Sequence, residues 1–240
     1  MLPEDWRDLM ERRVAHWKHL DEPERDLLGE YTGELIRSKN WEAASGFVLT
    51  DEMRLLIAAQ AALLILGLSF DHYREVGAII VHPTTVVLTG ERGSSVPGLM
   101  TDAPMPILGE AAHKGPILIA WDAVAMDVHH PERGHNVVFH EFAHKIDMLD
   151  DVVDGTPPMA RSEIDRWVQV CTAEYERAQL GGDDLLDSYA GVNTGEFFAV
   201  ATEVFFDRPV EMAEQKPDLY EVLSGFYRQD PAARVTGTPR

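Results

Sequence analysis

His140 and His144, within the run Gly134 to Leu149 (GHNVVFHEFAHKIDML), constrain this chain more than any other feature. On a helix, residues four apart lie about 40° from each other around the axis and one turn apart, so both imidazoles reach a single metal ion. Glu141 follows the first histidine on the flank of the same face, where a carboxylate takes a proton from a water at the metal without being a ligand itself. Val138, Phe142 and Leu149, with Val137 and Ile146 toward the sides, form an apolar back. The spacing therefore predicts a fold that buries one face of this helix in a core and opens the other to chemistry.

A metal held here has to take nitrogen and oxygen ligands, because Cys171 is the one cysteine and no thiolate cluster exists. Its neighbours Val168, Val170 and Ala173 mark it as an inert, half-buried thiol. A third ligand is expected from the stretch Tyr189 to Asp207, where Glu196, Val200 and Glu203 fall nearly on one meridian of a helix capped by Thr194. Glu203 sits among Val200, Val204, Phe205 and Phe206, and a carboxylate buried there needs a cation. Zinc is the expected cation, with a salt bridge to Arg54 as the alternative. Glu196 lies in the first turn, where the helix macrodipole favours an acid in any case.

Other polar residues surround these two stretches. Asp147 and Asp207 are candidates to orient a ligand imidazole through its other ring nitrogen, and Asp207 could equally cap the turn before Pro209. Tyr189 is the candidate hydrogen-bond donor to a developing oxyanion, the alternative being a packed aromatic at a loop end. His129 and His130 are read as solvated side chains of a connector rather than ligands, and His135, expected just inside the motif helix, lies about 140° around it from His140 and is not read as a ligand either.

The rest of the chain supplies the scaffold. Residues 4 to 38 carry helical periodicity in two halves divided by Pro23, and Asp51 to Gly67 reads as a buried helix started by Thr50. The polar members of that helix, Arg54 and Gln60, need partners wherever they are buried. Strands are expected at 78–83, 84–88 and 116–121, with 89–115 as a loop or flap that has room for a short strand and could cover the site. Residues 122–133 read as a connector, Ser162 to Gln179 as a helix capped by Ser162, Glu211 to Pro231 as one closing helix and Pro231 to Arg240 as frayed. The expected fold class is α+β, mainly helical, with a small mixed sheet before the motif helix. It forms one domain over 1–240, with a helical part at 1–70, a sheet at 76–121 and zinc-binding helices at 134–230.

Acids outnumber bases 41 to 21, a net charge of −20 that opposes nucleic acid and anionic membrane surfaces and favours a peptide or protein partner. No apolar run approaches the roughly 18 residues that cross a bilayer, since Leu55 to Leu68 is short and interrupted by Gln60. The N-terminus is charged and has no signal core, so a cytoplasmic location is expected.

Six stretches together resemble the Mlc titration factor A group of bacterial zinc metallopeptidases: TDEMRLLIAAQAALLILGL at 50–68, AIIVHP at 78–83, GPILIAWD at 115–122, NVVFHEFAHKIDM at 136–148, EFFAVATEVFF at 196–206 and FYRQDP at 226–231. The resemblance implies a gluzincin-like zincin fold, distantly similar to the catalytic domain of anthrax lethal factor. It implies that His140, His144 and Glu203 bind one zinc ion per chain and that Glu141 is the general base. It further implies a cytosolic peptidase with aminopeptidase activity, linked to sugar uptake by binding the glucose repressor Mlc or an equivalent regulator.

The function expected is hydrolysis of a peptide bond by water at the zinc, with strand 116–121 as an edge to which an extended peptide adds. The alternative is a regulatory protein-binding module with a structural zinc site. Glu141 discriminates between them, because a purely structural site has no use for an acid beside its first ligand.

Overall fold

The computed structural model describes residues 2–44, 46–84, 86–88, 92–93, 100–101, 105–107, 115–181 and 185–237. Helices α1 (Trp6–Arg13) and α2 (Glu22–Ser38) lead into strand β1 (Asn40–Ala43), helix α3 (Asp51–Leu64) and strand β2 (Ala78–His82). Short strands β3 (Val86–Leu88), β4 (Arg92–Gly93), β5 (Met100–Thr101) and β6 (Met105–Ile107) precede β7 (Ile117–Ala120). The remainder is helical: α4 (Trp121–Asp127), α5 (Val137–Asp147), α6 (Arg161–Leu180), α7 (Thr194–Asp207), α8 (Pro209–Gln215), α9 (Pro217–Tyr227) and α10 (Pro231–Thr236). The architecture is mainly helical α+β, as the sequence predicts. Among the described residues no helix is long and apolar enough to cross a membrane.

The main sheet has the order β1-β2-β7 and is parallel throughout, with Asn40 opposite Ala78 and Ile79 opposite Ile117. A mixed sheet was the expectation. The difference arises because the strand expected at 84–88 forms β3 in a separate antiparallel ladder with β6, while β1, short, mostly exposed and without hydrophobic alternation to announce it, joins β2 instead. Parallel neighbours need long crossovers, and α3 supplies the first. The second crossover contains two antiparallel ladders, β3 with β6 and β4 with β5. Most of the expected 89–115 flap lies outside the described residues.

Helix α3 is buried from Leu55 to Leu64 without interruption. Its first turn is capped by the Thr50 hydroxyl, which accepts from the Met53 amide, and its last carbonyls, Leu63 and Leu64, accept from the Gln229 side-chain amide. Just beyond, Gly67 passes so close to the chain end of α9 that a Cβ there would stand 2.2 Å from the Tyr227 carbonyl oxygen. The C-terminal segment is thereby locked onto the central helix.

Helix α5 packs against α3, α7 and β7, with Phe139 against Phe206 at 5.5 Å and Phe142 against Tyr73 at 4.8 Å between ring centroids. It is therefore buried nearly all round, and chemistry has only a narrow opening rather than a whole exposed face.

Several local expectations change. Asn136 caps α5, which leaves His135 outside the helix, and Asn193 rather than Thr194 caps α7. Helix α6 starts at Arg161 with no side-chain cap, so Ser162 lies inside it. The 122–133 connector contains most of α4, the closing segment is two helices because Pro209 and Pro217 each start one, and residues 231–236 form α10 instead of fraying.

Candidate metal centre

Helix α5 presents His140 and His144 one turn apart, with their Nε2 atoms 3.2 Å from each other. The first turn of α7 brings in Glu196, whose Oε2 lies 3.1 Å from Nε2 of His140 and 3.4 Å from Nε2 of His144. That oxygen is buried and makes no hydrogen bond of acceptable direction with either ring. The position of Glu196 is set locally, since its backbone amide donates to the Asn193 cap at 2.9 Å. Next to it Gly155, at φ +75°, lies so close to α7 that a Cβ would stand 2.3 Å from the Thr194 carbonyl oxygen. Loop and helix start are thus held together by a contact that needs glycine.

Among the described residues, His140, His144 and Glu196 are the one group of three or more donors able to hold a metal, with ligand atoms all within 4.8 Å of one another. Glu203, the expected third ligand, is not part of it. Its Oε1 lies 2.8 Å from Nδ1 of His140, and its Oε2 accepts the Asn136 amide at 2.5 Å. The buried carboxylate has the partners its apolar surroundings demand, the His140 ring and a backbone N–H. Arg54 pairs instead with Asp51. Because a carboxylate only accepts, Nδ1 of His140 donates to Glu203, and Nε2 is the ring nitrogen turned toward Glu196.

The electrostatics follow the packing. Burial alone would raise the Glu196 pKa, but the two imidazoles outweigh it and bring it down to about 2. Burial alone would lower the pKa of His140, and the carboxylates of Glu196 and Glu203 reverse that, raising it well above its ordinary value. Glu141 is fully buried, neither of its oxygens has a hydrogen-bond partner among the described residues, and burial raises its pKa. A carboxylate so placed has no structural employment and an enhanced affinity for a proton.

Tyr189, on a single turn before α7, holds its ring 6.1 Å from the His140 ring and is 39% exposed. Burial of its hydroxyl and the nearby Glu196 and Glu141 push its pKa up to about 12, so it remains a donor at neutral pH. Asp147 is buried and accepts the Gly155 amide at 3.0 Å, while its other oxygen is unpartnered among the described residues. Asp207 meets no ligand imidazole; it lies 3.0 Å from Nε2 of His16. His129 pairs with Arg13 and His130 with Glu132, and neither they nor His135 joins the group.

The meridian shared by Glu196 and Glu203 predicts Glu203 as the third ligand, whereas the structure groups Glu196 with the two histidines. The usable signal was position within the helix: a residue at the first turn projects into an opening, whereas one in the apolar middle is enclosed by neighbours. Asn193, three residues before Glu196 and a strong cap, marked that first turn.

A model of the glucose-regulated metallo-peptidase M90 family matches residues 1–228. An uncharacterised protein of Synechocystis is 33% identical over 96% of this chain and 86% of its own length. Proteins named Mlc titration factor A from Serratia proteamaculans and Edwardsiella ictaluri are 32% and 31% identical, over 96% and 90% of this chain and 88% and 84% of theirs.

Proposed function

The chain belongs to the glucose-regulated metallo-peptidase M90 family, hydrolases of peptide bonds, and from that premise we propose that His140, His144 and Glu196 hold one zinc ion beside Glu141 as general base. The donor set fits that ion. Nitrogen and oxygen ligands at bonds of about 2.0–2.1 Å in a tetrahedron stand about 3.3 Å apart, and the three donor atoms here are separated by 3.1, 3.2 and 3.4 Å. The unpartnered, buried Oε2 of Glu196 is the kind of atom a cation would satisfy. When bound, zinc supplies Lewis acidity that makes a water nucleophilic near neutral pH and polarises a carbonyl.

The side chains divide the remaining work. Glu141 takes the proton of the attacking water as the new C–O bond forms, then gives it to the amine nitrogen as the C–N bond breaks. Its raised proton affinity suits both halves of that transfer. Glu203 holds the His140 ring with Nε2 forward. Tyr189 donates from its hydroxyl to the carbonyl oxygen as negative charge develops there. Strand β7 lies at the edge of the main sheet, so an extended peptide adds alongside it.

Aminopeptidase activity, a cytoplasmic location and binding of the repressor Mlc or an equivalent regulator of sugar uptake belong to the same proposal. They are supported by the resemblance and, for the repressor, by the names of the Serratia and Edwardsiella relatives.

The observation that carries the reading is the triangle of three donor atoms with an unemployed carboxylate next to it. Its test is Glu141→Gln with zinc content and hydrolysis of short chromogenic peptides measured on the same sample. Zinc near one per chain with hydrolysis reduced at least about a hundredfold is expected. Undiminished hydrolysis would remove Glu141 from the mechanism, and zinc-loaded wild-type protein without any hydrolysis would favour a structural site. Comparing free and acetylated N-termini in those peptides tests the aminopeptidase preference.

A further inference from the structure

Gln60 is the sole polar residue in the ten-residue buried stretch of α3, and it is itself 1% exposed. Its Nε2 donates to the Leu56 carbonyl at 3.2 Å, and its Oε1 accepts from Nδ2 of Asn136 at 2.9 Å. Asn136 is equally buried, and its Oδ1 accepts the Phe139 amide at 3.1 Å to cap α5. The two ends of this row have single roles, since a carbonyl only accepts and a backbone N–H only donates. Each amide therefore has one permitted orientation, and neither can flip without breaking a bond at both of its ends.

The row connects to the metal centre through the backbone. The Asn136 amide donates to Oε2 of Glu203 at 2.5 Å, and Oε1 of the same carboxylate meets Nδ1 of His140 at 2.8 Å. We propose that Gln60 is a positioning residue for the metal centre: through Asn136 it anchors the Glu203 carboxylate and so holds His140 with Nε2 toward Glu196. Packing gives no reason for an amide at this position, because a leucine or methionine would suit an apolar helix at least as well. With the amide removed, Nδ2 of Asn136 is left buried without an acceptor, the cap residue is free to turn, and Glu203 loses the firm second anchor that fixes its distance to His140. The polar residue in the centre of the core is thus part of the site's support, although it touches no ligand.

This inference rests on the reading of His140, His144 and Glu196 as ligands, and the experiment separates the two. Zinc affinity is measured by competition with a chromophoric chelator, alongside thermal unfolding of the metal-free chain, for Gln60→Met, for Leu55→Ala as a core control on the same helix, and for Gln60→Met combined with Glu203→Gln. Gln60→Met is expected to weaken zinc binding by about tenfold or more. Leu55→Ala should lower Tm without changing zinc affinity, and adding Gln60→Met to Glu203→Gln should cost no further affinity. If Gln60→Met does not fold, Asn136→Ser reads the same link, because serine still caps the helix and keeps the amide to Glu203 but offers Gln60 no Nδ2. Zinc affinity within twofold of wild type in either variant, or additive losses in the combined one, would overturn the proposal while leaving the metal centre intact. A wild-type chain that takes up no zinc would overturn both.

Discussion

Glu203 meets His140 at Nδ1, 2.8 Å away, while Glu196 meets the same ring at Nε2. Two carboxylates from one helix thus grip the two nitrogens of one imidazole, and a large difference follows in what each contributes. Glu196→Ala is expected to lose zinc on dialysis against a weak chelator. Glu203→Gln should retain it with affinity reduced about 10- to 100-fold. Atomic absorption after dialysis distinguishes them, and equal loss in both would count against the division of roles.

Tyr189→Phe tests the oxyanion donor. The ring is 39% exposed, so removing its hydroxyl should leave Tm within a degree or two, whereas kcat should fall about 100-fold with KM little changed. An unchanged kcat would reduce Tyr189 to a packed aromatic.

The Asp207 side chain is buried, and burial raises its pKa from 3.8 to about 7 despite the opposing influence of His16. The folded chain therefore holds this proton more tightly than the unfolded chain. Between about pH 4 and 7 the unfolded state releases it first, so the group's contribution to stability is present below pH 4 and declines as pH rises, by at most about 1.4 kcal/mol per pH unit. Asp147, raised to about 7 chiefly by burial, acts in the same direction and window. Glu196, lowered to about 2, acts oppositely, its contribution being lost as pH falls from 4.5 toward 2. Denaturant midpoints of metal-free protein across pH 4 to 7 should fall more steeply for wild type than for Asp207→Asn.

Gly155→Ala is expected to destabilise the chain by about 1–3 kcal/mol, because the position has φ +75° and an added Cβ would meet the Thr194 carbonyl at 2.3 Å. Since that loop abuts the first turn of α7, zinc affinity should fall as well. A Tm decrease with unchanged affinity would separate the loop from the site.

Much of the site was legible in local pattern. The His140–His144 spacing, Glu141 beside it and the burial of α3 all follow from helical periodicity, which depends only on neighbours along the chain. The same periodicity put Glu196 and Glu203 on one face of α7. Nothing local could say which of them reaches the cleft, because seven residues also separate them by about 10 Å along the helix axis. Which carboxylate arrives at Nε2 is set by where α7 crosses α5, and that crossing is decided by the packing of Phe139 on Phe206 and by the seat of Gly155 on Thr194.

Gln60 makes the same division at longer range. Its sequence context shows a buried amide in need of a partner, and the partner lies 76 residues away on another helix. Composition and period determine which residues are buried and which faces they share. The pairing of polar atoms across helices requires agreement within a few tenths of an ångström, and only the assembled core sets distances that finely.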